Sequence, residues 1–235
     1  MISRILQWLR AKLGGHPAPL PPFDAVGAAM YLSEVRDLTD LALYLFTNLE
    51  NAADGWLTKE AELDSHLSDP YSDPRPDIML AGLETQQRHQ VDLFDALSAF
   101  LGVWSRLSLL LFPLRGPGRK GTYRRDRGRR LRRALAMTNL RVLEDRGLRD
   151  AWMHLDERMD DALTSGRLGS RQRFTLRARI TPAAQISVLR LVAVDTLEAF
   201  YPDRNGVSRS TDLRLLGRVL QQLERRLKAM DWLAV

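Results

Sequence analysis

The chain has 235 residues, 45% of them apolar, with 35 Lys or Arg against 29 Asp or Glu and no cysteine. That length suits one sizeable core, or one domain with an appendage. The absence of cysteine excludes a disulfide framework, a zinc ribbon and a thiol nucleophile, and fits a reducing, cytoplasmic location. Arginine outnumbers lysine 31 to four, a bias that a GC-rich genome alone would produce. Ten of the basic residues fall between Arg115 and Arg133, beside one acid, Asp126. Without that stretch the chain is slightly acidic, so one segment makes the formal +6.

Residues 1–13 predict a short amphipathic helix, with Ile2, Ile5, Leu6, Leu9 and Leu13 on one face and Arg4, Arg10 and Lys12 off it. No uninterrupted apolar core and no cleavage site of a secretory signal follow. Such a helix is expected to dock on its own protein or on a second subunit rather than on a membrane surface. Residues 14–22, GGHPAPLPP, read as a linker that carries His16. From Asp24 to about Asp54 a long helix is expected, with Val35, Leu38, Ala42, Leu45 and Leu49 on one face and Gly55 as its stop. Thr58 then caps a short acidic helix to about Leu67, with His66 at its end, before the punctuation of SDPYSDPRPD at 68–77.

Ile78 to Phe112 predicts a second long helix, the most hydrophobic part of the chain. Asp92, Asp95 and Arg106 interrupt it, and its clean apolar run falls short of the ~20 residues a span needs. It reads as the buried central helix of a bundle, with no transmembrane segment, and with His89 on a polar surface. Pro113 ends it, and a basic loop leads into a third helix of about 125–137. Arg119, Lys120, Arg124, Arg125, Arg127, Arg129 and Arg130 are the candidate nucleic-acid contacts, because such local density is the footprint of phosphate binding. The alternative is a solvated charge run. Asn139 to Arg146 form a short helical or irregular connection, and Asp145 is placed to cap the next helix.

That helix, EDRGLRDAWMHLDERMDDAL at 144–163, carries the only histidine of the C-terminal half. On a wheel of about 100° per residue, Leu148, Trp152, Leu155, Met159 and Ala162 form an apolar stripe, and His154 lies roughly 120° from its centre. A histidine kept for packing belongs in the stripe; this one points elsewhere. Arg149, Asp150 and His154 spell arginine, a polar residue, three more residues, then histidine. The pattern resembles the signature of the HEPN superfamily, in which Arg is followed by Asn, Asp or His and then, after three residues, by His. The resemblance covers the motif and, loosely, the helical run from 24 to 165.

HEPN proteins are small helical bundles, many of them metal-independent RNases of toxin–antitoxin, phage-defence and CRISPR-associated systems. The resemblance implies an RNA substrate, a site shared between two motifs and, since this chain has one motif, a homodimer. An antitoxin or another defence subunit is a further possible partner. The chemistry is consistent with these residue types. RNA is cut without a metal when its 2′-hydroxyl attacks the adjacent phosphorus, which calls for a proton acceptor, a proton donor and positive charge at the phosphorane. Histidine suits the proton transfers, and a fixed arginine fork suits the phosphate oxygens. Asp150, one turn from His154, could hold the ring's tautomer. The bland reading is a solvated, salt-bridged helix in which Arg149, Asp156, Glu157, Arg158 and Asp160 pair with one another. His154, Glu157 and Asp161 lie close on the wheel, but no Glu-x-x-His pair exists to complete a metal site in a bundle, so neither metal nor cofactor is expected.

After a turn at 165–170 the period changes. In RQRFTLRARI, Phe174, Leu176, Ala178 and Ile180 alternate with polar residues, a strand signal; ISVLRLVAV and TLEAFY suggest two more strands before the turn PDRNG. A helix starting at Thr181-Pro182 is the alternative. From Ser210 the helical period returns with Leu213, Leu216, Leu220, Leu223, Leu227 and Met230, a seam expected to pack within the chain. No internal repeat, Walker loop or G-x-S-x-G elbow is present. The reading is therefore a mainly α, HEPN-like helical bundle at 23–165, preceded by the helix and linker of 1–22 and followed by a small α/β appendage at 166–235. Its expected function is a HEPN-type, metal-independent endoribonuclease of a toxin–antitoxin or phage-defence system, with Arg149, Asp150 and His154 as site residues. The alternative is a non-catalytic helical module that binds nucleic acid or a protein partner.

Overall fold

The computed structural model describes residues 25–68, 76–164, 175–177, 189–203 and 206–230. The amphipathic helix of 1–13, the linker with His16, the turn at 165–170 and the helix alternative at Thr181-Pro182 lie outside them. The described chain is mainly helical, with a small sheet near its C-terminal end.

Two long helices make the frame. Helix α1, Ala25–Ser68, has 44 residues and α2, Pro76–Leu111, has 36, or about 66 and 54 Å at 1.5 Å per residue. They run antiparallel: Leu63 meets Gly82, Gly55 meets His89, the rings of Phe46 and Phe100 lie 5.6 Å apart, and Glu34 pairs with Arg106 at 3.4 Å. On α1 the buried stripe is Val35, Leu38, Ala42, Phe46, Leu49, Ala53 and Trp56, the three-four spacing of a helix seam.

The stop expected at Gly55 does not occur. Ala53 and Trp56 carry the stripe across it, and burial of a tryptophan outweighs the cost of about 1 kcal/mol that a mid-helix glycine carries. Thr58 caps nothing; its hydroxyl donates to the Asp54 carbonyl (2.8 Å) inside the continuous helix.

Leu93, Leu97, Phe100, Leu101, Trp104, Leu107 and Leu111 of α2 are fully buried. The stretch Leu80–Leu111 is long and apolar enough to cross a membrane by composition, but its C-terminal part is the centre of the protein's own core. The end of α2 leaves carbonyls without helical partners. Three guanidinium groups take them: Arg127 donates to Leu109 O (3.2 Å), Arg132 to Leu111 O, and Arg146 to Phe112 O (3.2 Å). Cations are favourable at this negative end of the helix dipole. Arg127 also stacks over Tyr31 and Arg132 over Phe112, at 4.8 and 4.7 Å.

The basic segment is helical rather than a loop. Helix α3 spans Gly118–Leu135, starting about seven residues before the expected 125. Gly121, Gly128, Leu131 and Leu135 are its buried face. Gly128 lets it cross α2's end closely, since a Cβ there would stand 2.6 Å from Pro113 Cδ and 2.7 Å from Leu111 O. It closes with Ala136 in the left-handed region (φ 51°), whose N–H donates to Arg132 O, while Arg226 donates to Leu135 O (3.0 Å each).

A 3₁₀ turn, Asn139–Glu144, leads to α4, Gly147–Met153, and α5, Leu155–Thr164. The sheet has the order β1-β2-β3-β4, with β1 (Thr175–Arg177) parallel to β2 (Leu191–Ala193), and β3 (Glu198–Pro202) and β4 (Ser208–Asp212) continuing antiparallel. Strands thus form within each of the three stretches that signalled them; β4 is an addition. Alternation divides the faces: Leu191, Ala193 and Phe200 cluster on one, while Val192, Ala199 and Tyr201 join the bundle core on the other. Helix α6, Leu213–Lys228, begins at Asp212, whose carboxylate accepts the Leu215 N–H (2.8 Å). Its seam, Leu213, Leu216, Val219, Leu220, Leu223 and Leu227, is buried in the same core as α1 and α2. Gly217 brings it against Phe46, where a Cβ would stand 2.4 Å from the ring. The described residues from Val192 to Leu227 therefore contribute directly to the core of the bundle.

Candidate functional site

Helix α4 begins after Arg146, which is its N-cap in place of the expected Asp145; Asp145 Oδ1 accepts the Gly147 N–H at 2.8 Å in an Asx-turn just before it. Leu148, Ala151 and Trp152 are buried. Trp152 fixes the helix in place: its ring lies 5.3 Å from Phe94, and its indole N–H donates to Ser98 Oγ (3.0 Å) on α2. Arg190 lies 4.7 Å over the same ring and donates to the Trp152 carbonyl.

The single motif helix expected over 144–163 is broken at the histidine. His154 N–H makes the last bond of α4, to Asp150 O (3.1 Å), and the residue itself has φ −111° and ψ 47°, outside the helical region. In an uninterrupted helix the Trp152 carbonyl would accept from Asp156; here it accepts from Arg190. A side chain inserted into the hydrogen-bond ladder is a recognised cause of a sharp kink. The chain resumes as α5 with Leu155 buried against Leu189 and Met159. The apolar stripe survives the break at Leu148, Trp152, Leu155 and Met159.

The three motif side chains fall into two pairs. Arg149 Nη1 donates to Asp150 Oδ1 at 2.9 Å, with the two side chains 31% and 44% exposed. The Nε of Arg149 is buried and makes no hydrogen bond among the described residues. His154 is about half exposed, and its Nδ1 lies 3.2 Å from Glu157 Oε1. The carboxylate beside the ring is therefore Glu157, one turn on, and Asp150 serves the arginine. A carboxylate at Nδ1 orients an imidazole and leaves Nε2 to meet a ligand. Exposed Asp156, Glu157 and Asp160 follow on α5, so the histidine stands among acids. Among the described residues no three His, Asp or Glu gather to hold a metal ion.

The basic residues of α3 separate into two groups. Arg119, Lys120, Arg124, Arg125, Arg129, Arg130 and Arg133 are exposed. Arg130 and Arg129 reach Asp126 at 2.8 and 3.7 Å, and Arg125 donates to Thr122 Oγ1 (3.1 Å) and Gly116 O (3.4 Å). Arg127, expected beside them as a nucleic-acid contact, is instead folded onto Tyr31 and the end of α2. Glu157 and Arg190 are the two residues at the motif whose roles the sequence did not single out. Glu157 sits at helical spacing from His154 and was visible as a neighbour; Arg190 comes from the approach to β2 and had no local signal. Comparison with protein-family models, with curated proteins and with solved structures finds no match for this chain.

Proposed function

We propose that this chain is a HEPN-like endoribonuclease that holds RNA on the exposed cations of α3 and cleaves it, without a metal, through His154 and Arg149. The observation that carries the reading is the state of His154. It is half exposed at a helix break, outside the apolar stripe, with Glu157 beside Nδ1. That arrangement suits a proton donor or acceptor working through Nε2. Arg149, held by Asp150, supplies a fork for the phosphate oxygens. The motif of one copy offers one imidazole, and cleavage needs both an acid and a base, so two copies with facing motifs make the working unit.

The test is cleavage of single-stranded RNA in EDTA. The wild-type protein should leave 2′,3′-cyclic phosphate ends, and His154→Ala and Arg149→Ala should each abolish cutting while the fold survives, since neither side chain is part of the core. Undiminished cutting by the His154→Ala protein refutes the reading.

A second reading is binding without cleavage. It is favoured by Asp156, Glu157 and Asp160, whose exposed carboxylates repel a phosphodiester approaching His154, whereas α3 carries seven exposed cations. In that case RNA binds with steep salt dependence and is recovered intact.

A further inference from the structure

The break that sets His154 apart is held from outside the motif. Two consecutive residues that lead into β2, Leu189 and Arg190, touch the chain on both sides of it. Before the break, Arg190 covers the Trp152 ring at 4.7 Å and donates to the Trp152 carbonyl. After the break, Leu189 packs on Leu155, with Met159 against the pair. The Trp152 carbonyl is the one that helix continuation would need, as acceptor for the Asp156 N–H. Donation by Arg190 competes for this carbonyl and disfavours the ladder bond that would merge α4 and α5. The Trp152 side chain is also held by Phe94 and Ser98, which limits the residue's freedom to turn.

We infer that Arg190 is a positioning residue for His154: by occupying the Trp152 carbonyl it keeps the motif helix interrupted and holds the imidazole in its working place. The inference rests on the reading of His154 as the proton-transfer group, and gives the C-terminal sheet a part in the site. A merged helix would rotate His154 with its backbone and carry Glu157 with it, so the ring would keep its neighbour but lose its direction. Loss of direction lowers turnover while RNA affinity, set by α3, is kept.

The experiment uses the full chain, labelled with ¹³C and ¹⁵N, as wild type, Arg190→Met and Arg190→Lys. The methionine retains an apolar stem over Trp152 but donates nothing; the lysine keeps a donor for the carbonyl without the planar fork. In the methionine protein the His154 ¹³Cα shift should move to a helical value, and the Asp156 amide should become protected from exchange. On a mixed-sequence single-stranded RNA oligonucleotide, kcat should fall about tenfold to a hundredfold with KM within about twofold. The lysine protein should lie between the two in every readout. A folded methionine protein with an unchanged His154 shift overturns the inference. Should the methionine protein fail to fold, Arg190→Leu, which also donates nothing, takes its place: an unchanged His154 shift overturns the inference, and a helical one supports it. If the wild type cleaves no RNA, the ribonuclease reading fails, while the shift and exchange at 154–156 still decide whether Arg190 holds the break.

Discussion

The two groups of cations on α3 can be separated by measurement. Replace Arg119, Lys120, Arg124 and Arg129, all exposed, by alanine in one protein, and Arg127 alone in another. Each phosphate neutralised contributes roughly 0.7 to the log–log salt slope on a single strand, so the fourfold variant should lose up to about 2.8 of slope. Its stability should barely change, because exposed substitutions typically stay within about 0.5 kcal/mol each and alanine is the better helix former. Arg127→Ala removes a charged donor from the Leu109 carbonyl at 3.2 Å and a cation from the Tyr31 ring at 4.8 Å. Those losses come to about 2 kcal/mol together. In a chain of this size that lowers Tm by roughly 4 to 8 °C, with little effect on the slope. Fluorescence anisotropy of a labelled RNA across a KCl series gives the slope, and circular-dichroism melts give Tm. The division is refuted if Arg127→Ala flattens the slope as much as an exposed cation does and leaves Tm alone, or if the fourfold variant lowers Tm and keeps the full slope.

Three further outcomes concern the frame. Gly217→Ala should destabilise by about 1 to 3 kcal/mol, because the new Cβ would stand 2.4 Å from Phe46 Cε1; Phe46→Leu in the same chain should recover part of the loss in guanidinium unfolding. Ala136→Gly should stabilise by about 1 kcal/mol, since the exposed residue holds φ 51°, where an L side chain is strained; an unchanged urea midpoint would contradict this. Burial first, and then Asp64, raise the Glu60 pKa. The folded state therefore holds that proton to higher pH than the unfolded chain, and the residue's contribution to stability falls as pH climbs through and above the ordinary glutamate range. Glu60→Gln should be more stable at neutral pH and flatter across that window; equal pH profiles would count against it.

Much of the frame was legible in the sequence because it rests on local periodicity. The long helices, the stripe of Leu148, Trp152, Leu155 and Met159 and the seam from Leu213 to Leu227 all report which face is buried. The misreadings share a cause: a distant group decides a local question. Gly55 reads as a stop until Trp56 is known to be buried against α2. The stretch from Gly118 reads as a loop until Gly128 is known to lie on Pro113. His154 reads as mid-helix because the group that breaks the ladder stands 36 positions later, at Arg190. Strand β4 carried no signal, since SRSTD is a mostly exposed strand that pairs, among the described residues, with β3 alone. At the site, the carboxylate beside the imidazole could be either of two at helical spacing, Asp150 or Glu157, and the break selects the second.

The hairpin of α1 and α2 outgrows the rest of the molecule. Past Trp56 on α1 and before Leu93 on α2, none of the described side chains at 57–65 and 80–92 is buried, and Leu80, Leu83 and Val91 face solvent. About three-quarters of α1 and half of α2 thus belong to the cooperative core, and the remainder is held chiefly by its antiparallel neighbour. Opening free energy must then decline along a single uninterrupted helix, from the global value near Leu49 towards that of a marginal two-helix pair beyond Leu57. The outer hairpin can separate and re-form many times within the lifetime of one folded core, and no covalent or conformational hinge is needed for it to do so.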